Sequence, residues 1–207
     1  MTKSKATLLI IIVCIGSVFA VKTFAQHKAS GSANIELSRT KGDIKARLHI
    51  IEYLDFQCPA CAVGALTLRE YLKKYPSDIY LQLKYYPISR IHEHAMLSAT
   101  YAECAARQNK FWDFFDRLID KQSQWSRLLN ADSVFRDIAR DANLDLSKLA
   151  SCLEDDSVKT AVLRDKEGGK TLGVESTPTY FINGKMTVGP RPLLEELQNS
   201  FGEKNNQ

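Results

Sequence analysis

Two cysteines separated by two residues, Cys58 and Cys61, are the side chains of this sequence best placed to do chemistry. They follow an apolar run with strand character, Leu48 to Leu54, and precede a segment with the apolar spacing of a helix. A cysteine at the start of a helix meets unpaired backbone N–H groups and the positive end of the helix dipole, which both favour its thiolate. We therefore expect Cys58 to be the acidic, exposed, attacking thiol and Cys61, one turn later, to be the resolving thiol.

The residues between the cysteines, Pro59 and Ala60, complete a redox loop. Pro59 suits a first helical turn, where a missing N–H costs nothing. Zinc sites use the same cysteine spacing, but a structural zinc usually takes four ligands. The sequence has no second close cysteine pair, and its other ligand-type cluster is His92-Glu93-His94. Thiol redox chemistry without metal or cofactor is the prediction, and a metal-binding or holdase module that uses these histidines is the alternative.

Length and charge limit the classes of function. The chain has 207 residues with 44% hydrophobic content, which is enough for one globular unit with a sizeable core. The formal net charge is +4, but Lys3, Lys5 and Lys22 lie in an N-terminal segment without acidic residues, so the remainder carries +1. This balance predicts no nucleic-acid partner.

Residues 1–25 have the layout of an export signal. Lysines precede a mainly apolar stretch from Ala6 to Val21, and small residues lie near its end at Ala20 and beyond it at Ala25. The apolar stretch is shorter than the ~20 residues that a spanning helix needs, so cleavage as a signal peptide is favoured and an uncleaved membrane anchor is the alternative. In both cases we expect the body of the protein in the periplasm or another extracytoplasmic space.

Export places the cysteines that follow the N-terminal segment, which are Cys58, Cys61, Cys104 and Cys152, in an oxidising compartment, where disulfides persist. Cys104 and Cys152 are then candidates for a structural disulfide, and two buried free thiols are the alternative. Closing the loop between them would stabilise the fold by about 4 kcal/mol on the chain-entropy model.

The order of predicted elements gives the organisation of the chain. A strand, a helix and a second strand come first, then a long helical segment, and then a hairpin with an Asn-Gly turn followed by a helix. The predicted boundaries are a signal peptide or anchor at 1–25, a tether at 26–43, the first half of the fold at 44–91, a helical insertion at 92–171 and the second half at 172–207.

Three segments, Glu52 to Cys61, Gln108 to Trp112 and Gly173 to Gly184, together resemble the DsbA family of exported thiol:disulfide oxidoreductases. The resemblance covers nearly the whole exported part. It implies an α/β protein, a thioredoxin fold with an inserted all-helical domain, and the subgroup with a second disulfide at Cys104 and Cys152.

The resemblance also assigns roles to three further residues. It implies a cis peptide bond between Thr177 and Pro178, beside the redox cysteines, with the Thr177 backbone free to pair with an extended substrate. An ordinary trans proline is the alternative. Glu52 corresponds to a buried acid that exchanges a proton with Cys61. Independently of the resemblance, Lys84 on the neighbouring predicted strand is a possible charge partner for it. A solvent-facing Glu52 is the alternative here.

The family implies a dithiol oxidase that donates the Cys58–Cys61 disulfide to reduced exported proteins. It also implies a monomer and reoxidation by a DsbB-type membrane oxidase. The best-known members have Pro-His between the cysteines where this chain has Pro59-Ala60, which leaves the oxidising strength open. A disulfide isomerase or reductase of the same fold is therefore the alternative function.

Overall fold

Five strands form one sheet within residues 35–202, the part of the chain that the computed structural model describes. The strands are β1 (Thr40–Gly42), β2 (Leu48–Leu54), β3 (Ile79–Tyr85), β4 (Thr179–Ile182) and β5 (Lys185–Val188). Their order across the sheet is β1-β3-β2-β4-β5, with β2 and β3 parallel and the other neighbours antiparallel. The strand that leads into the cysteine pair, β2, therefore lies at the centre of the sheet.

Helices pack on the sheet and occupy the segment between β3 and β4. They are α1 (Pro59–Lys74), α2 (Ala95–Arg107), α3 (Phe111–Asp120), α4 (Gln122–Trp125), α5 (Asp132–Asp141), α6 (Leu146–Leu153), α7 (Asp156–Thr171) and α8 (Pro190–Phe201). The predicted α/β architecture is confirmed, since α2 to α7 form a helical insertion between a β-α-β unit and a β-hairpin with its final helix. Among residues 35–202, no helix is long and apolar enough to cross a membrane.

One apolar core fixes the redox helix to the sheet. Leu68 and Leu72, one turn apart in α1, are buried together with Leu193 and Leu197 of α8 and with the apolar side chains of β2 and β3. Burying a leucine side chain contributes roughly 1.5–3 kcal/mol, so these contacts hold α1 firmly in place. The start of α1 is thereby held at the carboxyl end of β2.

The helical insertion has its own cross-link. Cys104 in α2 and Cys152 in α6 form a disulfide with an S–S distance of 2.09 Å. Cys104 is fully buried, and its neighbour Glu103 is buried as well. The disulfide therefore joins two helices inside the insertion and lies outside the redox pair.

The sheet begins earlier than the sequence suggested. β1 falls inside residues 26–43, the range assigned to the tether, and pairs with the edge of β3. Arg39, directly before β1, is buried and forms ion pairs with Asp165 and Glu103. Backbone pairing and a buried ion cluster thus fix the end of the predicted tether. The predicted signal or anchor at 1–25 lies outside the described residues.

Candidate functional site

Cys58 occupies the N-cap position of α1, with extended backbone angles (φ −71°, ψ 120°). Pro59 follows as the first helical residue, and the first turn contains no acidic side chain. The Cys58 carbonyl accepts hydrogen bonds from the N–H groups of Cys61 and Ala62 at 3.1 and 3.3 Å, so the helix begins within the cysteine motif. The predicted strand-to-helix junction is thus present, and it aims free N–H groups at the first sulfur.

The pKa values of the two thiols are shifted in opposite directions. A hydrogen bond from the Cys61 thiol, together with backbone N–H groups of Cys61 and Ala60, lowers the pKa of Cys58 to about 6. Burial and the neighbouring Cys58 raise the pKa of Cys61 well above its ordinary value. At neutral pH the reduced pair is therefore a Cys58 thiolate that accepts a hydrogen bond from a neutral Cys61 thiol.

Cys58 is less exposed than the sequence suggested, because the loop before β4 covers it. The residue is 8% exposed and Cys61 is fully buried. The Cys58 Sγ lies 3.4 Å from the Thr177 carbonyl oxygen, and the Thr177–Pro178 peptide bond is cis. The Thr177 hydroxyl is buried without a hydrogen bond of normal length, and its proximity also helps to lower the pKa of Cys58.

Two glutamines connect the redox turn to the helical insertion. Gln122 of α4 donates through its Nε2 to the carbonyls of Phe56 and Cys58 at 2.7 and 2.9 Å. Gln57, directly before Cys58, donates to the Ser126 carbonyl at 2.8 Å, and its Oε1 accepts from a backbone N–H of the insertion. Neither residue is predictable from the sequence as part of the site, because local spacing does not show which distant side-chain amide contacts the turn.

The histidines of the alternative metal site are engaged elsewhere. His92 Nδ1 lies 2.8 Å from a carboxylate oxygen of buried Asp55, and His94 Nε2 lies 2.7 Å from the Leu128 carbonyl oxygen. Asp55 also accepts from the backbone N–H groups of Gln57 and Ile88. Within the described part of the chain, no group of three or more His, Cys, Asp or Glu residues could hold a metal ion. His92 and His94 thus position loops around the redox turn.

Glu52 is fully buried in β2, so it does not face solvent at an edge. Burial raises its pKa to about 8, and the Tyr180 hydroxyl partly opposes that increase. The charge partner suggested for it, Lys84, instead lies 3.6 Å from Asp165, because alternate residues of neighbouring strands point to opposite faces of the sheet. Glu52 is near enough to the redox pair to raise the pKa of Cys61.

Sequence comparison agrees with this architecture. A family model described as Thioredoxin matches residues 35–199, most of the chain. The chain belongs to this thioredoxin family. A curated relative, Na(+)/H(+) antiporter NhaA 3 of Salinispora tropica, is 31% identical over 150 residues, which are 72% of this chain and 22% of that protein. The thioredoxin-family chain thus spans about a fifth of the length of the curated relatives it matches.

Solved structures show the same fold. Wolbachia pipientis alpha-DsbA1 superposes with a TM-score of 0.67 at 19% identity, over 80% of this chain and 91% of that one. Oxidised BdbD of Bacillus subtilis gives a TM-score of 0.66 at 18% identity, over 79% and 92%. The resemblance of this thioredoxin-family chain to DsbA is thereby confirmed at the level of the fold: a thioredoxin fold with a helical insertion.

Proposed function

We propose that this protein is a thiol:disulfide oxidoreductase that works as a dithiol oxidase and donates the Cys58–Cys61 disulfide to reduced exported proteins. The observation that carries the proposal is the placement of Cys58 at the N-cap of α1 with Cys61 buried behind it, which lowers the pKa of Cys58 and raises that of Cys61. A reduced form that is stabilised by an acidic thiolate makes the corresponding disulfide a stronger oxidant.

The proposed reaction has two exchange steps. A substrate thiolate attacks the Cys58 sulfur of the oxidised protein, forming a mixed disulfide and breaking the Cys58–Cys61 bond. Cys61 leaves as a thiolate and takes a proton from Glu52, because a buried thiolate is unfavourable. A second substrate thiolate then attacks the substrate sulfur and releases Cys58 as a thiolate. The substrate gains a disulfide, and the protein receives the two electrons.

Substrate binding is assigned to the loop before β4. The Thr177 backbone lies beside the Cys58 sulfur, so an extended peptide that pairs with it would bring its own sulfur to the reacting atom. Thr177 and Pro178 are therefore the proposed substrate-binding residues, and Pro59 and Ala60 form the loop that separates the two thiols.

The proposed cellular setting rests on the N-terminal sequence. The signal-like residues 1–25 support an extracytoplasmic location, where reduced exported chains are the available substrates. A DsbB-type membrane oxidase is the proposed acceptor of the two electrons, and the protein is proposed to act as a monomer without a cofactor.

The redox equilibrium of Cys58 and Cys61 with glutathione tests the direction of the reaction. We expect a reduction potential more positive than about −200 mV, together with stoichiometric oxidation of a reduced peptide, since an acidic thiolate favours the reduced protein. A potential near that of thioredoxin, about −270 mV, would assign the protein to the reductases. Faster rearrangement of a scrambled substrate than oxidation of a reduced one would assign it to the isomerases. A variant with serine at Cys58 and Cys61 is the control, because it retains only the Cys104–Cys152 disulfide.

A further inference from the structure

The register of the sheet places Tyr180 beside the buried acid. Tyr180 of β4 is directly opposite Glu52 of the antiparallel neighbour β2, so both side chains lie on the same face of the sheet. Both residues are 0% exposed. Tyr180 belongs to the core beneath α1, the helix that carries the redox cysteines. The phenol, the carboxyl group and the helix thus meet in one buried region.

The buried polar atoms of Glu52 and Tyr180 lack hydrogen-bond partners. Neither carboxyl oxygen of Glu52 nor the Tyr180 hydroxyl makes a hydrogen bond of normal length, although all three atoms are buried. Unpaired polar atoms are rare inside proteins because each one loses its hydrogen bonds to water. After a small side-chain movement, the Tyr180 hydroxyl can form a hydrogen bond with the Glu52 carboxyl group on the facing residue.

Gly64 provides the space for the Tyr180 hydroxyl. A Cβ atom at this position of α1 would overlap that oxygen. Glycine inside a helix is unfavourable relative to alanine, so its presence here calls for a packing reason. The hydroxyl thus fits a gap in the redox helix, three residues after Cys61. Phenylalanine at position 180 would keep the ring in the core without the oxygen that overlaps a Cβ at position 64.

We propose that Tyr180 is a positioning residue for Glu52: its O–H donates to the carboxylate that remains when Glu52 has given its proton to the Cys61 sulfur. The inference rests on the proposed exchange reaction. When the Cys58–Cys61 bond breaks, the proton moves from the Glu52 oxygen to Cys61, and the negative charge left on Glu52 is stabilised by the phenol. In the reverse step Cys61 returns the proton to Glu52.

Among the groups around Glu52, Tyr180 is the one placed to donate a hydrogen bond to its carboxylate. Cys61 faces it from α1, and on the remaining side it lines a small cavity whose charged residues are Lys41, Arg69 and Asp116. Arg69 forms ion pairs with Asp116 and Asp120. Burial raises the pKa of Glu52, and the Tyr180 hydroxyl is the group that lowers it.

The Tyr180→Phe variant tests the inference, because it removes only the hydroxyl. The carboxyl of Glu52 is titrated by carbon-13 NMR in the oxidised protein, where neither redox thiol titrates. We expect the midpoint to move upward from about 8 in the wild type. The shift should be about one pH unit, as for the loss of a hydrogen bond to a charged group. An unchanged or lowered midpoint would overturn the inference.

Two further variants make the outcome specific. Tyr80→Phe removes a phenol hydroxyl from a half-buried residue of β3 and should leave the Glu52 midpoint unchanged. Gly64→Ala displaces the Tyr180 hydroxyl without removing it and should raise the midpoint as Tyr180→Phe does. Since the titration needs no substrate, an absence of oxidase activity in the wild type would defeat the proposed function while leaving the titration readable.

Discussion

The Cys58→Ser variant is expected to lose oxidase activity completely, to the rate of a protein-free control. The Cys58 sulfur is the atom that the substrate attacks, and a serine hydroxyl cannot form the disulfide that the reaction requires. Cys61 cannot replace it, because Cys61 is fully buried and its pKa is raised well above its ordinary value. The measurement is the rate at which the oxidised protein forms a disulfide in a reduced two-cysteine peptide.

The Cys61→Ser variant separates the roles of the two thiols. It retains an acidic Cys58 but has no resolving thiol. When the reduced variant is mixed with the disulfide-linked dimer of a one-cysteine peptide, the Cys58 thiolate attacks one peptide sulfur and displaces the other peptide as a thiolate. We expect the resulting mixed disulfide to accumulate, visible as a mass increase equal to one peptide, whereas the wild type resolves it through Cys61. A variant with serine at Cys104 and Cys152 is the control. It should oxidise the reduced two-cysteine peptide at the wild-type rate. Oxidase activity retained by Cys58→Ser would contradict the mechanism.

The Glu52→Gln variant is expected to make folding stability less sensitive to alkaline pH. The pKa of Glu52 is about 8 in the folded protein and about 4.5 in its unperturbed form, so the folded state binds more protons than the unfolded state between these values. Stability from this group is therefore greatest in acid and decreases as the pH rises through this window. Glutamine has the same shape as the protonated acid and carries no charge to bury.

The size of the effect follows from the width of that window. At pH 5 the variant and the wild type should have nearly equal free energies of unfolding. At pH 9 the variant should be more stable by about 4 kcal/mol, an order-of-magnitude value from 1.36 kcal/mol per pKa unit. Denaturant unfolding of both proteins with the redox disulfide formed measures the difference. Glu154→Gln, at an exposed site, is the matched control. Equal pH dependence of Glu52→Gln and wild type would show that the carboxyl is not buried as described.

The elements nearest the cysteines were accessible from the sequence because their signals are local. The apolar run of β2 and the Asn183-Gly184 turn have the expected bounds, as does the start of α1 at Pro59. Each depends on residues within a few positions of one another: alternation or apolar runs for strands, proline at a first helical turn, and Asn-Gly in a tight hairpin. The helical insertion was recognisable for the same reason.

The parts that sequence analysis missed depend on packing between distant segments. Gln122 donates a hydrogen bond to the Cys58 carbonyl, 64 positions away in the chain, and no sequence periodicity predicts that contact. Strand proximity predicts that Lys84 pairs with Glu52, but the alternation of side chains across the sheet directs Lys84 to Asp165. Tyr180 reads as a core aromatic in sequence, and only the register of β4 against β2 places its hydroxyl beside Glu52.

The ultraviolet absorbance of the Cys58 thiolate as a function of pH tests the central claim most directly. The reduced wild type is titrated, and the reduced Cys58→Ser variant supplies the background from the remaining groups. The difference should show one thiolate with a midpoint near pH 6. A midpoint near the value of an ordinary cysteine, about 8.5, would contradict the claim that the start of α1 makes Cys58 acidic.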